Sequence, residues 1–541
     1  MARTLPDQVT LDLGLDEADD PAALRRHVAK ALKRPVDEVP EVHLRRRSID
    51  ARKGKVRFHL LVDFEEDPPP EELGAPDPRE VSGPAHVVVV GDGPAGLFCA
   101  YALARHGIRA TVLDRGKQVQ PRRRDLALLN RGERIDPESN YCFGEGGAGT
   151  YSDGKLYTRA DKRGPVRDVM EILVRNGATP KILVDARPHI GSNKLPKVVT
   201  EIRERLASAG VDFRFEAKVV GLLSEGRGNE RRATGVRLAD GSEITGDAVV
   251  LATGHSARDV YSFLHEAGVV LVPKPFALGV RIEHPQPFIN RQQYGRAAGH
   301  PKLPAAYYRV AHTVEERGVF SFCMCPGGWI VPASTEPDGL VVNGMSLSRR
   351  DSPFANSGLV VAVEPSDWEA AGFGGPMGGV ELQRTIERAA LVAGGGAIRA
   401  PATRASDFRA RRASSTVPDG SYLPGYTPTD LAPVLDAAGL PFAHRLREAL
   451  AAFERRMPGY AGEEALLVGV ETRTSSPVRI PRDPTSLESP DMAGLYPAGE
   501  GGGYAGGIVS AALDGMNIAE RIAGRLAEAG RLPLARTSGV G

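Results

Sequence analysis

The chain has 541 residues, a length that corresponds to about three or four domains. Its formal net charge is +1, and 41% of its residues are hydrophobic and 25% charged, as in ordinary soluble globular proteins. This balance argues against a polyanionic partner for the whole chain. The four cysteines are too few for a disulfide framework, and the sequence has neither a signal peptide nor an apolar run of membrane-spanning length. We therefore expect a cytoplasmic protein, without a prediction of its oligomeric state.

Residues 1–66 are predicted to form a small α/β domain. QVTLDLGL and KVRFHLLVDF alternate as strands, and PAALRRHVAKALKR has helical spacing. The Pro- and Glu-rich residues 67–83 are predicted to be a linker. The basic run Arg45, Arg46 and Arg47 is interpreted as a solvated sheet face, with RNA or partner binding as the alternative. Nucleic-acid binding is disfavoured because no stacking aromatic residues interleave with these charges.

The segment HVVVVGDGPAGLFCAYALARHG, residues 86–107, predicts a buried strand, a glycine turn and a helix. Its glycines have G-x-G-x-x-G spacing, and an acidic residue ends the next predicted strand. Such glycines let the backbone approach a pyrophosphate at a helix N-terminus, and the acid accepts hydrogen bonds from a ribose. Dinucleotide binding is predicted, with a structural turn as the alternative. The residues assigned to it are Gly91, Gly93, Pro94, Ala95, Gly96, Asp114 and Arg115.

A second glycine-rich turn, LYPAGEGGGYAGGIVSAALDG, spans residues 495–515 and again joins a predicted strand to a helix. It would bring a second helix N-terminus to the same crevice. A flavin suits this arrangement because its pyrimidine edge becomes negative on reduction. We therefore predict one FAD shared by the two turns, with Gly499, Glu500, Gly507 and Ile508 as further cofactor residues. Two unrelated turns are the alternative.

A third segment, RRATGVRLADGSEITGDAVVLATGHSARD, predicts a hairpin and then an apolar strand. Thr253 and Gly254 end this strand beside the predicted FAD, and the backbone of Val219 is assigned to the adenine. His255 is a candidate for proton exchange, with a structural hydrogen-bonding role as the alternative. Arg258 is predicted to form an internal ion pair with Asp259, and a catalytic role as the anchor for a substrate carboxylate is the alternative.

The loop FGEGGAGTYSDGKL, residues 143–156, is rich in glycine and is predicted to lie against the cofactor. Gly147 and Ser152 are assigned to FAD binding. Lys155 is a candidate for stabilising negative charge on a reduced flavin or a substrate. A solvent-exposed loop is the alternative.

The middle of the chain contains no further dinucleotide fingerprint. Residues 271–400 are predicted to be an inserted, mixed or antiparallel β domain that covers the flavin and selects the substrate, and NAD(P)H is at most a transient electron donor. The remaining predicted ranges are a first FAD-binding part at 84–270, a helical or irregular connection at 401–464, a second FAD-binding part at 465–530 and a tail at 531–541.

Cys323 and Cys325 share one face of a predicted strand. They are interpreted as small buried residues before a tight turn, with a thiol relay as the alternative. A disulfide between them would be strained, and no cluster of Cys and His residues predicts a metal site. Two roles are left open for Arg473: contact with the flavin or an anionic substrate, and surface or structural pairing.

These motifs occur in one order along most of the chain, together with GVRIEHP, NGMSLSRRDSPFANS and VETRTSSPVRIPRD. The set resembles a family of FAD-dependent dehydrogenases that carry a small N-terminal α/β domain. The resemblance implies an α/β protein whose Rossmann-like FAD-binding domain is of the glutathione-reductase type. It implies FAD and redox chemistry but no particular substrate.

The sequence therefore predicts an FAD-dependent oxidoreductase that moves a hydride between flavin N5 and an unidentified small molecule. Three alternatives remain open: a flavin-using RNA-modification protein with an N-terminal RNA-binding unit, a flavin monooxygenase, and a non-catalytic flavin-binding sensor.

Overall fold

The computed structural model describes residues 5–17, 20–65, 73, 76–158 and 164–532. In the predicted linker at 67–83, residues 67–72, 74 and 75 lie outside the described residues, and in the predicted tail at 531–541 so do the residues from 533 onward. The described strands are β1 (Gln8–Leu13), β2 (His43–Asp50), β3 (Arg57–Asp63), β4 (His86–Val90), β5 (Arg109–Leu113), β6 (Asp212–Arg214), β7 (Val219–Glu225), β8 (Arg232–Leu238), β9 (Glu243–Thr245), β10 (Ala248–Leu251), β11 (Val272–Pro273), β12 (Phe276–Pro285), β13 (Ala311–Val314), β14 (Arg317–Cys325), β15 (Gly328–Pro332), β16 (Val342–Ser346), β17 (Phe354–Val363), β18 (Ala400–Arg404), β19 (Tyr426–Pro428), β20 (Leu466–Glu471), β21 (Val478–Arg479) and β22 (Leu495–Pro497).

The described α-helices are α1 (Pro21–Leu32), α2 (Pro94–Arg105), α3 (Val119–Asn130), α4 (Val166–Arg175), α5 (Leu195–Ser208), α6 (Arg258–Glu266), α7 (Gln286–Tyr294), α8 (Pro365–Ala370), α9 (Gly378–Ala393), α10 (Ala405–Arg409), α11 (Ala432–Leu435), α12 (Phe442–Arg456) and α13 (Ile508–Glu528).

The N-terminal unit is an antiparallel sheet in the order β1-β3-β2 with α1 packed on one face. Asp20 caps α1 by accepting hydrogen bonds from the backbone N–H groups of Ala22 and Ala23. Strand β2, which contains the basic run, contacts the next domain: the Arg47 N–H donates to the carbonyl of Val184 at 2.9 Å.

A five-stranded parallel sheet in the order β22-β10-β4-β5-β6 forms the centre of the next domain. One apolar core joins one face of this sheet to α2, α4, α5 and α13, and a second core joins the other face to α6 and the β7-β8-β9 sheet. The strand order reverses between β4 and β10, and in such doubly wound sheets ligands bind at this point, beyond the carboxyl ends of the strands.

A seven-stranded sheet in the order β13-β14-β17-β12-β20-β18-β19 forms the other large unit. All its neighbouring strands are antiparallel except β18 and β19. Strands β18 and β19 come from the predicted connection, and β20 comes from residues assigned to the second FAD-binding part. The sheet thus extends beyond the predicted insert, because β20 is buried along its whole length between β12 and β18. Chain order alone does not reveal such a central position.

None of the helices in the described part of the chain has the length and apolarity needed to cross a bilayer. Within the same residues, no group of three or more His, Cys, Asp or Glu side chains is arranged to hold a metal ion.

Candidate functional site

A cavity of about 330 Å³ lies where the parallel sheet meets the seven-stranded sheet. Its lining includes seventeen of the predicted site residues: Gly91, Gly93, Pro94, Ala95, Asp114, Arg115, Gly147, Ser152, Lys155, Val219, Thr253, Gly254, His255, Gly499, Glu500, Gly507 and Ile508. The seven-stranded sheet and the neighbouring β16 contribute Phe322, Cys323, Asn343 and Glu471 to the same lining. Gly96 and Arg258 are outside it.

The first glycine turn lies tight against the end of β10. Gly91 has φ +103°, and a Cβ at this position would meet the carbonyl oxygen of Ala252 at 2.3 Å. A Cβ on Gly96 would meet the carbonyl oxygen of Gly91 at 1.9 Å. Gly96 is therefore required for the close approach of the turn to helix α2, and it does not line the cavity.

The two glycine turns face one cavity, as predicted from their similar patterns. Helices α2 and α13 begin at Pro94 and Ile508, and both residues line it. The helices can approach because a Cβ on Gly515 would meet the carbonyl oxygen of Ala95 at 2.0 Å. Two helix N-termini therefore direct their partial positive charge toward the same space.

The second glycine turn is held by Asp514. Its buried carboxylate accepts a hydrogen bond from the Gly499 N–H at 2.7 Å. The Arg482 guanidinium in turn donates to both oxygens of Asp514, at 3.0 and 2.5 Å. Asp514, which lies on α13, thereby fixes the glycine turn that precedes its own helix.

The loop at residues 143–155 bridges the two helix starts. A Cβ on Gly149 would lie 3.4 Å from side-chain atoms of both Pro94 and Ile508, and one on Gly147 would lie 2.9 Å from the Cα of Gly93. Gly147 has φ +61°, a left-handed conformation that favours glycine. The loop thus brings backbone, with little side-chain volume, over the entrance to α2.

A fully buried arginine anchors this loop. The Arg122 guanidinium donates to the carbonyls of Asn140, Tyr141, Glu145 and Gly147 at 2.9 to 3.1 Å. The carboxylate of Glu145 accepts from Arg203 at 2.8 Å. Neither arginine was predicted, because both lie on helices whose periodicity marks them only as polar residues.

Asp114 directly follows β5 at the edge of the cavity, and its carboxylate already accepts hydrogen bonds from the backbone. It accepts hydrogen bonds from the N–H groups of Asp92, Gly116 and Gly144 at 2.8 to 3.1 Å. Burial, followed by the nearby charges of Asp114 and Glu145, holds the pKa of Asp92 well above its ordinary value. This environment favours the neutral form of the Asp92 carboxyl inside the glycine turn.

His255 and Glu500 lie next to each other on the cavity wall, with His255 Nε2 3.9 Å from Glu500 Oε1. Burial, followed by the nearby positive charges of Arg473 and Arg258, lowers the pKa of His255 to about 3. Burial raises the pKa of Glu500 to about 7, although Lys274 opposes this shift. Glu500, and not His255, is thus the group that changes protonation near neutral pH.

Arg258 belongs to a buried ion network between the two large units. It donates to both oxygens of Glu387, at 2.9 and 2.7 Å, while Arg473 donates to Glu387 at 2.9 Å. Burial alone would raise the pKa of Glu387, but the charges of Arg258 and Arg473 lower it well below its ordinary value. Arg473 thus has the structural pairing considered for it, and because it also lines the cavity its contact with a ligand stays a prediction.

The predicted ion pair between Arg258 and Asp259 is wrong. Neighbouring residues on a helix point in different directions, and Asp259 pairs instead with Arg115 and with Lys218, the latter at 3.4 Å. Arg115 additionally lies over the ring of Phe143, 4.7 Å from its centroid. These contacts hold the cavity edge beside Asp114.

Lys155 contacts two sulfur atoms across the cavity. Its Nζ lies 3.4 Å from Cys323 Sγ, 3.5 Å from Cys325 Sγ and 3.7 Å from the carboxylate of Asp153. Cys325 is buried, but Cys323 is exposed and lines the cavity. The interpretation of both cysteines as buried residues is therefore wrong for Cys323, because a ladder irregularity after Phe322 turns it outward.

Three family profiles match successive parts of the chain. A domain of unknown function matches residues 6–65, a profile described as "FAD binding domain" matches 84–258, and one described as "FAD-dependent protein, C-terminal domain-like" matches 275–474. The last range ends just after β20 and so includes the strands that extend the seven-stranded sheet beyond the predicted insert.

The chain is also similar to an uncharacterized protein of Clostridium beijerinckii, with 40% identity over 533 residues that cover 95% of this chain and 97% of the relative. Among solved structures, CtdE in complex with FAD is 12% identical, covers 83% of this chain and 85% of its own, and has a TM-score of 0.33. A geranylgeranyl bacteriochlorophyll reductase-like protein from Thermoplasma acidophilum is 12% identical, with coverages of 83% and 81% and a TM-score of 0.33. Likeness at these scores carries no argument about activity.

The matched FAD-binding profile covers the glycine turn, the loop at 143–155 and the strand ending at Leu251, all of which border the cavity. FAD is the cofactor of this chain. With its FAD binding domain, its FAD-dependent C-terminal domain and its full-length Clostridium relative, the chain belongs to this family of FAD-dependent proteins.

Proposed function

We propose that the chain is an FAD-dependent oxidoreductase that transfers a hydride between the flavin and a small molecule bound against the seven-stranded sheet. The observation that carries this proposal is the cavity itself. One wall consists of two helix N-termini and glycine backbone, and the other carries polar side chains from β14, β16 and β20. Such a division suits a cofactor on one side and a substrate on the other.

The residues present fit FAD. The close backbone approaches of Gly91 to Ala252 and of Gly147 to Gly93 admit no side chain, so backbone borders the cavity at these positions and can approach a phosphate. In this proposal the start of α2 holds the pyrophosphate, and Asp114 accepts a ribose hydroxyl with its remaining acceptor capacity. The start of α13 and the turn at Gly499 face the flavin. The hairpin β8-β9, followed by β10 and then by Ala252-Thr253-Gly254 at the carboxyl end of that strand, supports a Rossmann-like domain of the glutathione-reductase type.

FAD, when bound, supplies reversible two-electron chemistry, and the protein supplies orientation and charge. Arg473 and Lys155 bring positive charge to the cavity and so favour an anionic ligand. We assign proton exchange to Glu500 in place of His255, because a group titrating near neutral pH serves as both acid and base. Neutral His255 keeps a positioning role beside it.

Little in the N-terminal unit favours an RNA-modification function. Arg45 pairs with Asp63 at 2.5 Å, and the Arg47 guanidinium lies 4.2 Å from the centroid of the Phe58 ring. Both arginines therefore have partners within their own domain. The cytoplasmic location and the transient use of NAD(P)H stay predictions.

The test is anaerobic reduction of the purified holoprotein, followed by its visible flavin absorption. We expect NADH or NADPH to bleach the flavin, and deuterium at the transferred position of the nicotinamide to slow the bleaching. The matched variant Glu500→Gln should bleach with a rate that no longer changes between pH 6 and 8. A flavin that neither nicotinamide reduces, and that no small-molecule acceptor reoxidises after photoreduction, would overturn the proposal in favour of a non-catalytic flavin protein.

A further inference from the structure

On the wall of the cavity opposite the glycine turns, the thiols of Cys323 and Cys325 both contact the ammonium group of Lys155. Strand β14 loses its regular register with β17 between Phe322 and Cys325, and Cys323 has φ +43°. This irregularity exposes Cys323 to the cavity while Cys325 stays buried. Both sulfur atoms nevertheless lie within 3.5 Å of Lys155 Nζ.

A second fixed cation lies behind the pair. Arg281 Nη2 donates to the Cys323 carbonyl at 3.0 Å and lies 3.7 Å from Cys325 Sγ. The guanidinium is itself held by Glu471, whose carboxylate accepts at 2.9 and 3.1 Å. Moving Arg281 away from the sulfur atoms would break a buried ion pair, and Lys155 is held by the buried carboxylate of Asp153 at 3.7 Å.

The groups around Cys323 favour its thiolate. A hydrogen bond with Cys325 is the largest cause that lowers the pKa of Cys323, burial opposes it, and the charges of Lys155 and Arg281 lower it further. The pKa of Cys325 is held well above its ordinary value, first by the same hydrogen bond and then by burial. The ionisable groups that face the pair are Lys155, Arg281, Asp153, Glu471 and Glu500.

We propose that Cys323 is the nucleophile of this cavity and that Cys323 and Cys325 together exchange with disulfide substrates. The Cys323 thiolate attacks one sulfur of the substrate, forms a mixed disulfide and releases the other half as a thiolate. The Cys325 thiol then attacks Cys323 Sγ, forms the Cys323–Cys325 disulfide and releases the second half of the substrate as a thiol. The substrate disulfide is reduced to two thiols, and the protein dithiol is oxidised.

The spacing of the two cysteines suits a transient disulfide. A Cys-x-Cys disulfide on a strand departs from relaxed geometry, and strained disulfides are the easily reduced ones that serve in catalysis. A thiolate beside fixed cations in a partly exposed site is also the usual environment of a reactive cysteine. A structural role would require neither the exposure of Cys323 nor the ammonium group between the two sulfur atoms.

This inference deepens the proposed function by naming disulfides as its substrate class. It rests on that function because the reduced flavin would have to reduce the Cys323–Cys325 disulfide again. The exchange itself needs no turnover. It can therefore be measured on the holoprotein with its flavin oxidised and its thiols reduced. The probe is 4,4′-dithiodipyridine, the released pyridinethione is counted, and the modified peptides are mapped by mass spectrometry.

We expect the wild-type pair to release two equivalents of pyridinethione in a fast phase and to end as the Cys323–Cys325 disulfide. Cys325→Ser should release one equivalent and keep a stable adduct on Cys323, and Cys323→Ser should lose the fast phase. Lys155→Met should slow modification of Cys323 at pH 6 by about tenfold or more, and Lys155→Arg should restore most of the rate. Cys142, which also lines the cavity, and buried Cys99 are internal references in every peptide map.

Retained flavin absorption in each variant shows that the protein is folded. Modification of Cys323 no faster than that of Cys142, or a rate insensitive to Lys155→Met, would overturn the inference. If the thiols do not exchange while a nicotinamide bleaches the flavin, only this inference fails. If the thiols exchange and the flavin accepts no electrons, the proposed function fails instead.

Discussion

The two walls of the cavity are built by different means. On the glycine wall, backbone from the starts of α2 and α13 and from the loop at 143–155 approaches the cavity closely. On the opposite wall, side chains such as Cys323, Glu471 and Arg473 face it from separate parts of the chain. The glycine wall depends on close backbone packing, which a single added methyl group would disrupt. The side-chain wall depends on buried arginines being paired with carboxylates, and the loss of a single carboxylate would leave an arginine unpaired.

The largest effect is expected from breaking the charge balance. Glu387→Gln leaves buried Arg258 and Arg473 without their shared carboxylate, and we expect a loss of about 3–5 kcal/mol in the free energy of unfolding. Urea denaturation at pH 7 measures it. The pKa of Glu387 is lowered in the folded protein, so its contribution is present above its ordinary value of 4.5 and is lost on acidification below that value.

The adjacent residue provides a matched control for this variant. Arg388 pairs with Asp338 at 2.8 Å, but both side chains are more than half exposed. Arg388→Gln should therefore change the stability by less than about 0.5 kcal/mol. Equal effects of Glu387→Gln and Arg388→Gln would show that buried charge does not hold this wall in place.

The next effect tests the room on the glycine wall. Gly515→Ala places a methyl group 2.0 Å from the carbonyl oxygen of Ala95, where only backbone can give way. We expect a loss of about 2–3 kcal/mol in stability, together with weaker FAD retention on dilution, because α2 and α13 are pushed apart at the cavity. Thermal denaturation and the flavin content after gel filtration measure the two effects.

Gly524→Ala on the same helix is the control, since a Cβ there has nothing within 4 Å. This exposed helical position should gain about 0.5–1 kcal/mol from the alanine. If Gly515→Ala were also neutral or stabilising, the close approach of the two helices would not be needed for the FAD cavity.

The smallest effect concerns Glu500, which lies where the two walls meet. Its folded pKa of about 7 lies above the ordinary value of 4.5, so its stabilising contribution is present at acid pH and is lost as the pH rises through 7. Glu500→Gln should therefore gain about 1 kcal/mol in stability relative to wild type between pH 6 and 8, after allowance for solvent screening. Parallel urea denaturation of both proteins at pH 6 and pH 8 measures this gain. If the stability difference between Glu500→Gln and wild type were the same at both pH values, Glu500 would not be the group that titrates in this range.

The backbone wall was largely predictable and the side-chain wall was not. Gly91, Gly93, Asp114, Gly499 and Gly507 follow short local patterns that combine a strand, a turn and a helix, and all five line the cavity. Lys155 was predicted as a cation, but its two sulfur contacts come from residues far along the chain. Arg258 was placed in the site because of its neighbours in sequence, and the fold turns it away into the Glu387 network.

The sequence by itself determined the two glycine turns, the FAD cofactor and the order of the motifs along the chain, because these depend on backbone conformations that glycine and helix starts specify within about twenty residues. Only the tertiary structure decided that β20 lies centrally in the seven-stranded sheet, that Glu500 titrates near neutral pH and that Lys155 meets two cysteines. Strand neighbours, burial and charge partners arise from contacts between distant segments, and no local pattern encodes them.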